Sequence, residues 1–356
     1  MTSNYWNERV QQLEPYVPGE QPKDQKYIKL NTNENPYPPS PKALAAIRES
    51  ADDRLRLYPD PIASDLRRAL ASYFDLPDNY LFVGNGSDEV LAFSFMTFFS
   101  AERPVMFADI TYSFYKVYAN LCALNPKIIA LDDAFRIPAS AFCAASGGVV
   151  LPNPNAPTGR GLPIDVLRKI IEADPNRVVI IDEAYINFGG KSVVPLVKDY
   201  PNLLVVQTLS KFAALAGIRV GFAIGHPELI DGLNRLKNSI NSYTLDRLAL
   251  AGAEAAVEDF TYSDQIARRV IETRERTSAE LRKLGFNVLP SEANFIFISH
   301  PQHSAEKLFR RLKEKGILVR YFNQPRISNH LRVSIGTDEE MNQFINVIQS
   351  LINEDN

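Results

Sequence analysis

Lys211 stands past the apolar run LLVV at 203–206, with Thr208 and Ser210 just before it and Arg219 further on between Gly217 and Gly221. A lysine after a strand is ordinarily only solvated. Here, other apolar runs end in groups that could work with it. The run VVII at 178–181 leads into DEAY, which puts Asp182 at the strand end and Tyr185 three residues on. The run VVL at 149–151 leads into PNPNAPTG, where Pro152, Pro154 and Pro157 hold Asn153 and Asn155 in place. After LFV at 81–83 comes GNGSDE: Gly86 permits a tight turn, and Ser87 and Asp88 open a helix. A helix N-terminus offers free N–H groups and a positive dipole end to a phosphate. An amine for an aldehyde, a carboxylate for a pyridinium nitrogen and a cationic seat for a phosphate together suit pyridoxal phosphate. Gly217 and Gly221 are expected to strip bulk from around Arg219 so that its guanidinium approaches that phosphate closely.

Two rival chemistries fail on spacing. A dinucleotide fingerprint needs a third glycine where Glu89 stands, and a Walker B reading of the VVII–Asp182 strand needs a GxxxxGK[ST] loop, which the chain lacks. His226, His300, His303 and His330 lie outside these strand ends, so no metal site is expected.

Elements must bring these groups to one edge. Short apolar runs at 80–83, 105–108, 127–130, 148–151, 178–181, 203–207 and 220–224 read as strands. Amphipathic stretches at 87–99, 114–121 and 164–173 read as helices between them. Such alternation implies an α/β fold with a mostly parallel central sheet flanked by helices, and sites at the carboxyl ends of its strands. Residues 229–284 read as helical throughout. Strands at 294–298, 317–321 and 331–334, with helices at 304–315 and 338–352, form a smaller α+β unit. The stretch 31–41, NTNENPYPPSP, reads as a linker because its four prolines oppose both helix and central strand. The domain reading is an N-terminal arm and linker at 1–41, a large domain at 42–260 and a small C-terminal domain at 261–356.

Bulk properties agree. The 356 residues allow a large core; 45% are hydrophobic, 23% are charged and the net charge is −3, so no nucleic-acid or acidic-membrane partner is expected. Cys122 and Cys143 suit small buried side chains in a reducing compartment. Residues 1–19 carry no apolar segment of signal-peptide length, and no run reaches a membrane span, which together predict a cytoplasmic protein.

The motifs GNGSDE, NPNAPTG, DEAY and SKFAALAGIRVG, in this order, resemble the fold-type I pyridoxal-phosphate enzymes of the aspartate aminotransferase superfamily. With PYVPGE at 15–20, NENPYPPSP at 33–41, YPDP at 58–61 and LRVSIGT at 331–337, nearly the whole chain is similar to the histidinol-phosphate aminotransferase family. The resemblance implies roles. Lys211 would form the Schiff base and later shuttle a proton, and Asp182 would pair with the ring nitrogen. Asn153 and Tyr185 would bind the ring hydroxyl, and Tyr112 of DITYSFY would stack on the ring. Gly86, Ser87, Asp88, Thr208, Ser210 and Arg219 would surround the phosphate or its approach. Asp88, a carboxylate beside a phosphate, is expected to cap the helix instead. Tyr58 would reach the site of a second subunit, making a homodimer with shared active sites. Arg332 and Arg320 would take the substrate's anionic group, with Tyr16 and Tyr243 lining its pocket. The implied reaction moves an amino group between histidinol phosphate and 2-oxoglutarate.

Other classes stay open at this point. An aromatic amino acid aminotransferase would use the same residues. A lyase related to threonine-phosphate decarboxylase is expected to carry a His-Gly-Gly segment where NTNENPYPPSP stands. A ligand sensor on this scaffold is expected to carry a fused DNA-binding module.

Overall fold

The computed structural model describes residues 4–144 and 146–354; the outermost parts of the domain reading, 1–3 and 355–356, lie outside the described residues. The main sheet has seven strands: β1 (Leu81–Asn85), β2 (Val105–Ala108), β3 (Lys127–Ile129), β4 (Gly148–Pro152), β5 (Val179–Asp182), β6 (Leu203–Thr208) and β7 (Val220–Gly225). They lie in the order β1-β7-β6-β5-β4-β2-β3. β7 is antiparallel to both neighbours, and the pairs from β6 through β3 are parallel. This is the expected mostly parallel α/β sheet. Every residue of β4, β5, β6 and β7 is buried, which is why their sequences are apolar runs and not alternations. Side chains still alternate between faces. Leu203 and Val205 of β6 join a core with Leu167 and Ile170, while Leu204 and Val206 join one with Phe93, Phe95 and Tyr115.

Because β4, β5 and β6 run parallel, Pro152 pairs with Asp182 and Asp182 with Val206. Asn153, Asp182 and the segment Thr208–Ser210–Lys211 therefore emerge at one edge. β1 is antiparallel to β7, which is antiparallel to β6, so β1 ends at that same edge. The helix Gly86–Phe98 starts there.

A second sheet, β8 (Asn287–Val288), β9 (Phe295–Ser299), β10 (Arg320–Tyr321) and β11 (Leu331–Ser334), is antiparallel in the order β10-β11-β9-β8. The run 317–321, read as one strand, is two. Ile317–Leu318 pairs in parallel with Ile28–Lys29, and the chain changes partner at the buried Val319 so that β10 pairs with β11. The helical region expected from Leu229 to about Leu284 consists of three helices, Pro227–Ile240, Arg247–Glu258 and Phe260–Lys283. Asp246 starts the second by accepting from the Ala249 N–H at 2.8 Å. The proline-rich 31–41 segment ends in a helix start: Pro41 is the first residue of the helix Pro41–Glu49, and Ser40 caps it by accepting from the Lys42 N–H at 3.1 Å. Among the described residues no helix is long and apolar enough to cross a membrane.

Candidate active site

Where the main sheet's edge meets the second sheet, a cavity of about 810 Å³, open mouth included, collects most of the singled-out residues. Ser87, Asp88, Tyr112, Asp182, Tyr185, Thr208, Ser210, Lys211 and Arg219 line it, and so do Arg320, Arg332 and Tyr16.

Lys211 Nζ donates to the Thr32 carbonyl at 3.3 Å. Burial and the Arg332 guanidinium push its amine down to about 8. Such an amine is partly uncharged near neutrality, as a nucleophile must be. Asp182 is buried, and its two oxygens accept from the Tyr115 hydroxyl (2.7 Å) and the Ala184 N–H (3.1 Å). Burial pushes Asp182 up to about 6, opposed by these two donors.

Tyr185 and Asn153 each keep a donor in reserve. The Tyr185 hydroxyl accepts from Asn33 Nδ2 at 3.0 Å, which leaves its own proton to give. Asn153 is buried; its Oδ1 accepts from the Leu162 N–H at 2.6 Å, and its Nδ2 has no partner. An unpartnered buried amide N–H is costly unless something completes it.

The place where the resemblance puts a phosphate has a built geometry. Gly86, at φ +79°, opens the helix, and a Cβ there would lie 2.6 Å from Arg219 Nη2, so only glycine lets the guanidinium cover the helix N-terminus. Arg219 itself sits in the left-handed region at φ 56°, a strained position for a branched-off side chain and one found at functional sites. The Thr208 and Ser210 hydroxyls lie 3.0 Å apart beside it. The glycine reading needs correction. A Cβ on Gly217 would meet nothing within 4 Å, so this residue clears no room for Arg219. Gly221 instead lets β7 pass the helix start, because a Cβ there would lie 2.2 Å from the Ser87 nitrogen. Asp88 is not a cap either: it pairs with Arg219 Nη2 at 2.8 Å and accepts from the Tyr112 hydroxyl at 2.7 Å. It ties the phosphate-side cation to the tyrosine expected to stack on the ring.

Arg332 Nη2 donates to the Asn31 carbonyl at 3.0 Å, and Arg320 reaches the Val17 and Pro18 carbonyls at 3.3 and 3.4 Å. The N-terminal segment thus helps orient both arginines. Tyr16 lies against Phe114, ring centroids 4.4 Å apart. Tyr58 and Tyr243 are not in the cavity. They stack on one another at 4.6 Å, exposed on the surface at 78% and 42%. Within one chain they touch nothing the cavity holds.

Several residues escaped the sequence reading. Asn33 lies in what looked like a linker, yet bonds Tyr185. Tyr115, whose hydroxyl donates to Asp182, was not singled out. Glu183, buried beside Asp182, accepts from Ser192 Oγ, the Val193 N–H and Gln207 Nε2 at 2.7, 2.7 and 2.8 Å. It holds the loop after β5 to β6. The only available signal was its place in DEAY.

The cavity's groups therefore fit a phosphorylated pyridine aldehyde: a low-pKa amine, a buried carboxylate, a tyrosine hydroxyl with its proton to give and a glycine-cleared cationic seat. Asn153, with its orphaned amide donor, is next to the lining residue Pro152 but does not itself line the cavity. Comparisons with known proteins agree. Residues 25–348 match the family described as Aminotransferase class I and II. The chain is 61% identical to the histidinol-phosphate aminotransferase of Clostridium acetobutylicum, covering 98% of this chain and 99% of that one. It is 56% identical to that of Marinomonas sp., covering 98% and 100%. The solved histidinol-phosphate aminotransferase of Sinorhizobium meliloti, in complex with pyridoxal-5'-phosphate, superposes with a TM-score of 0.89 at 25% identity, covering 98% and 99%. The chain belongs to the class I and II aminotransferases, within their histidinol-phosphate aminotransferase branch, and is an enzyme of that kind.

Proposed function

We propose that this cytoplasmic enzyme exchanges an amino group between L-histidinol phosphate and 2-oxoglutarate, giving imidazole-acetol phosphate and L-glutamate in histidine biosynthesis, with pyridoxal 5'-phosphate as cofactor. The observation that carries the reading is one cavity lined by Lys211, Asp182 and Arg219 together with Arg332 and Arg320. Pyridoxal phosphate, when bound, supplies an electrophilic carbon for amines and an electron sink for the charge left when the substrate loses its α-proton.

The chain's residues do the rest. Gly86 and Ser87 N–H groups, the Ser87, Thr208 and Ser210 hydroxyls and Arg219 would bind the cofactor phosphate. Asp182 would hold a proton on the ring nitrogen, Asn153 and Tyr185 would hold the ring oxygen, and Tyr112 would cover a face. Lys211 Nζ would hold the cofactor through its aldehyde and serve as the base for the proton at the substrate's α-carbon. Arg332 and Arg320 take the phosphate ester of one substrate and a carboxylate of the other, since a guanidinium fork matches either anion. Tyr16 lines the same cavity. In this reading the large domain, 42–260, holds the cofactor. The small domain, 261–356, and the arm, 1–41, carry the groups that choose the substrate.

Substrate choice is tested by kcat/KM for histidinol phosphate, histidinol and phenylalanine with 2-oxoglutarate as acceptor. The phosphate ester is expected to win by a wide margin. Losing one charge-assisted partner costs about 1.5–3 kcal/mol, so Arg332→Ala is expected to lower kcat/KM for histidinol phosphate by about one to two decades while cofactor binding survives. Equal use of histidinol and its phosphate sinks phosphate recognition. A clear preference for phenylalanine moves the enzyme to the aromatic aminotransferases.

Exposed Tyr58 and Tyr243 suit a homodimer in which Tyr58 completes the partner's phosphate seat. Mixing folded but impaired Tyr58→Phe and Lys211→Ala chains is expected to restore some activity. If Tyr58 acts across the interface, one site of the mixed dimer carries both lesions and the other neither. Verified heterodimers with no recovery put Tyr58 outside the partner's site.

A further inference from the structure

Behind Asp182 lies a residue that none of the foregoing roles includes. Tyr115, in the helix Phe114–Leu121, is wholly buried. Its hydroxyl donates to Asp182 Oδ2 at 2.7 Å. Its ring stands edge-on to Tyr112, with centroids 5.6 Å apart and planes at 88°. Phe107 backs it at 5.9 Å. One side chain thus braces two groups with different proposed roles: the carboxylate that would meet the ring nitrogen and the tyrosine that would cover the ring's face.

The type of donor matters. Asp182 is useful only as an anion, because it must accept from a protonated ring nitrogen. A lysine or arginine behind it would hold the anion but cancel its charge. The donors found there, the Tyr115 hydroxyl and the Ala184 N–H, are both neutral. They stabilise the carboxylate and leave its charge to face the cavity. Burial and the Asp182 charge also raise the Tyr115 hydroxyl's pKa well above its usual range, so Tyr115 stays protonated and keeps its O–H to donate.

We propose that Tyr115 is a positioning residue that keeps Asp182 aimed and ionised for the ring nitrogen; the inference rests on the pyridoxal phosphate reading of the site. Burial alone drives Asp182 toward protonation, and the Tyr115 hydrogen bond is the largest influence opposing it. The other titratable groups that bear on Asp182 are Asp88 from the helix Gly86–Phe98, Tyr118 beside Tyr115, and Glu183 and Tyr185 after β5. None of these has its proton on an Asp182 oxygen.

The test uses the full chain freed of cofactor and two ligands: pyridoxal phosphate and its 1-deaza analogue, which has carbon in place of the ring nitrogen. The ratio of their dissociation constants isolates the contact with Asp182. Wild type is expected to prefer the natural ligand. Tyr115→Phe keeps the ring against Tyr112 and removes only the hydroxyl. It is expected to lose about tenfold of that preference, with affinity for the analogue unchanged. The acid limb of the amine half-reaction is expected to move to higher pH, since a carboxylate stripped of its donor protonates sooner. In an Asp182→Asn background the same substitution is expected to leave the ratio alone. An unchanged ratio in Tyr115→Phe, or equal weakening of both ligands, overturns the inference and leaves Tyr115 a packing residue. A wild-type ratio near one overturns it too, by removing the Asp182 contact. Failure of the cofactor reading itself shows separately, as absence of label on Lys211 after borohydride treatment.

Discussion

Lys211→Ala is expected to lose at least about 10⁴-fold in turnover, because in the proposed function one substitution removes both the amine that would capture the cofactor and the base that would move the α-proton. Borohydride treatment of the wild-type holoenzyme is expected to leave the cofactor on the peptide that contains Lys211. Label on another lysine, with none here, ends the reading. The pH dependence is more specific. Burial and Arg332 push the Lys211 amine down to about 8. Only the uncharged amine attacks an aldehyde, so the rate of cofactor capture by the apo chain should rise about tenfold per pH unit below 8 and level off above it. An ordinary lysine would keep rising past pH 10. Stopped-flow absorbance of the bound cofactor distinguishes these curves.

Asp182→Ala carries the second large effect. The cofactor would still be held by Lys211 and the phosphate seat, but a ring nitrogen without its carboxylate loses its proton and accepts charge poorly. Preorganised electrostatic contacts of this kind are commonly worth ~10²–10³ in turnover. Loss of at least that size is expected, with the cofactor still bound and its absorption band bleaching slowly when amine is added. Near-normal bleaching would falsify the assigned role. The sign for wild type follows from the raised Asp182 value of about 6: the carboxylate is ionised above that pH and protonates below it, so the ring-nitrogen contact weakens as pH falls through 6.

Much of this site was readable because parallel strands buried on both faces are apolar runs, and whatever polar residue follows each run must lie at the sheet's edge. Asp182, Lys211 and Asn153 were found that way. The helix start at Gly86 was found from its glycine and the polar residues after it. Tyr115 was hidden by its chemistry. Within SFYKVYANL a tyrosine packs like any core aromatic, and only tertiary placement reveals what its hydroxyl touches. Asn33 was hidden by its neighbours, since prolines from Pro36 onward made the segment look like a spacer. The break at Val319 was hidden because either half of the run 317–321 reads as strand; the choice of partner belongs to residues far away in sequence. Gly217 misled for the opposite reason. It sits in a motif where glycine looked sterically required, and the space around it is open.

The pairing of Ile28–Lys29 with Ile317–Leu318, and of the Asn33 N–H with Ser334 Oγ across a separation of 301 residues, bears on how the protein is made. A ribosome adding about 5–20 residues each second needs roughly 15–60 s to travel that distance. Within that interval the main sheet can be completed, because its last strand, β7, ends at Gly225, whereas the early segment that covers Lys211 has no strand to join. The cavity therefore cannot close before Ile317–Leu318 and Ser334 have been made. A nascent chain stalled short of Ile317 would present a finished phosphate seat with an open roof.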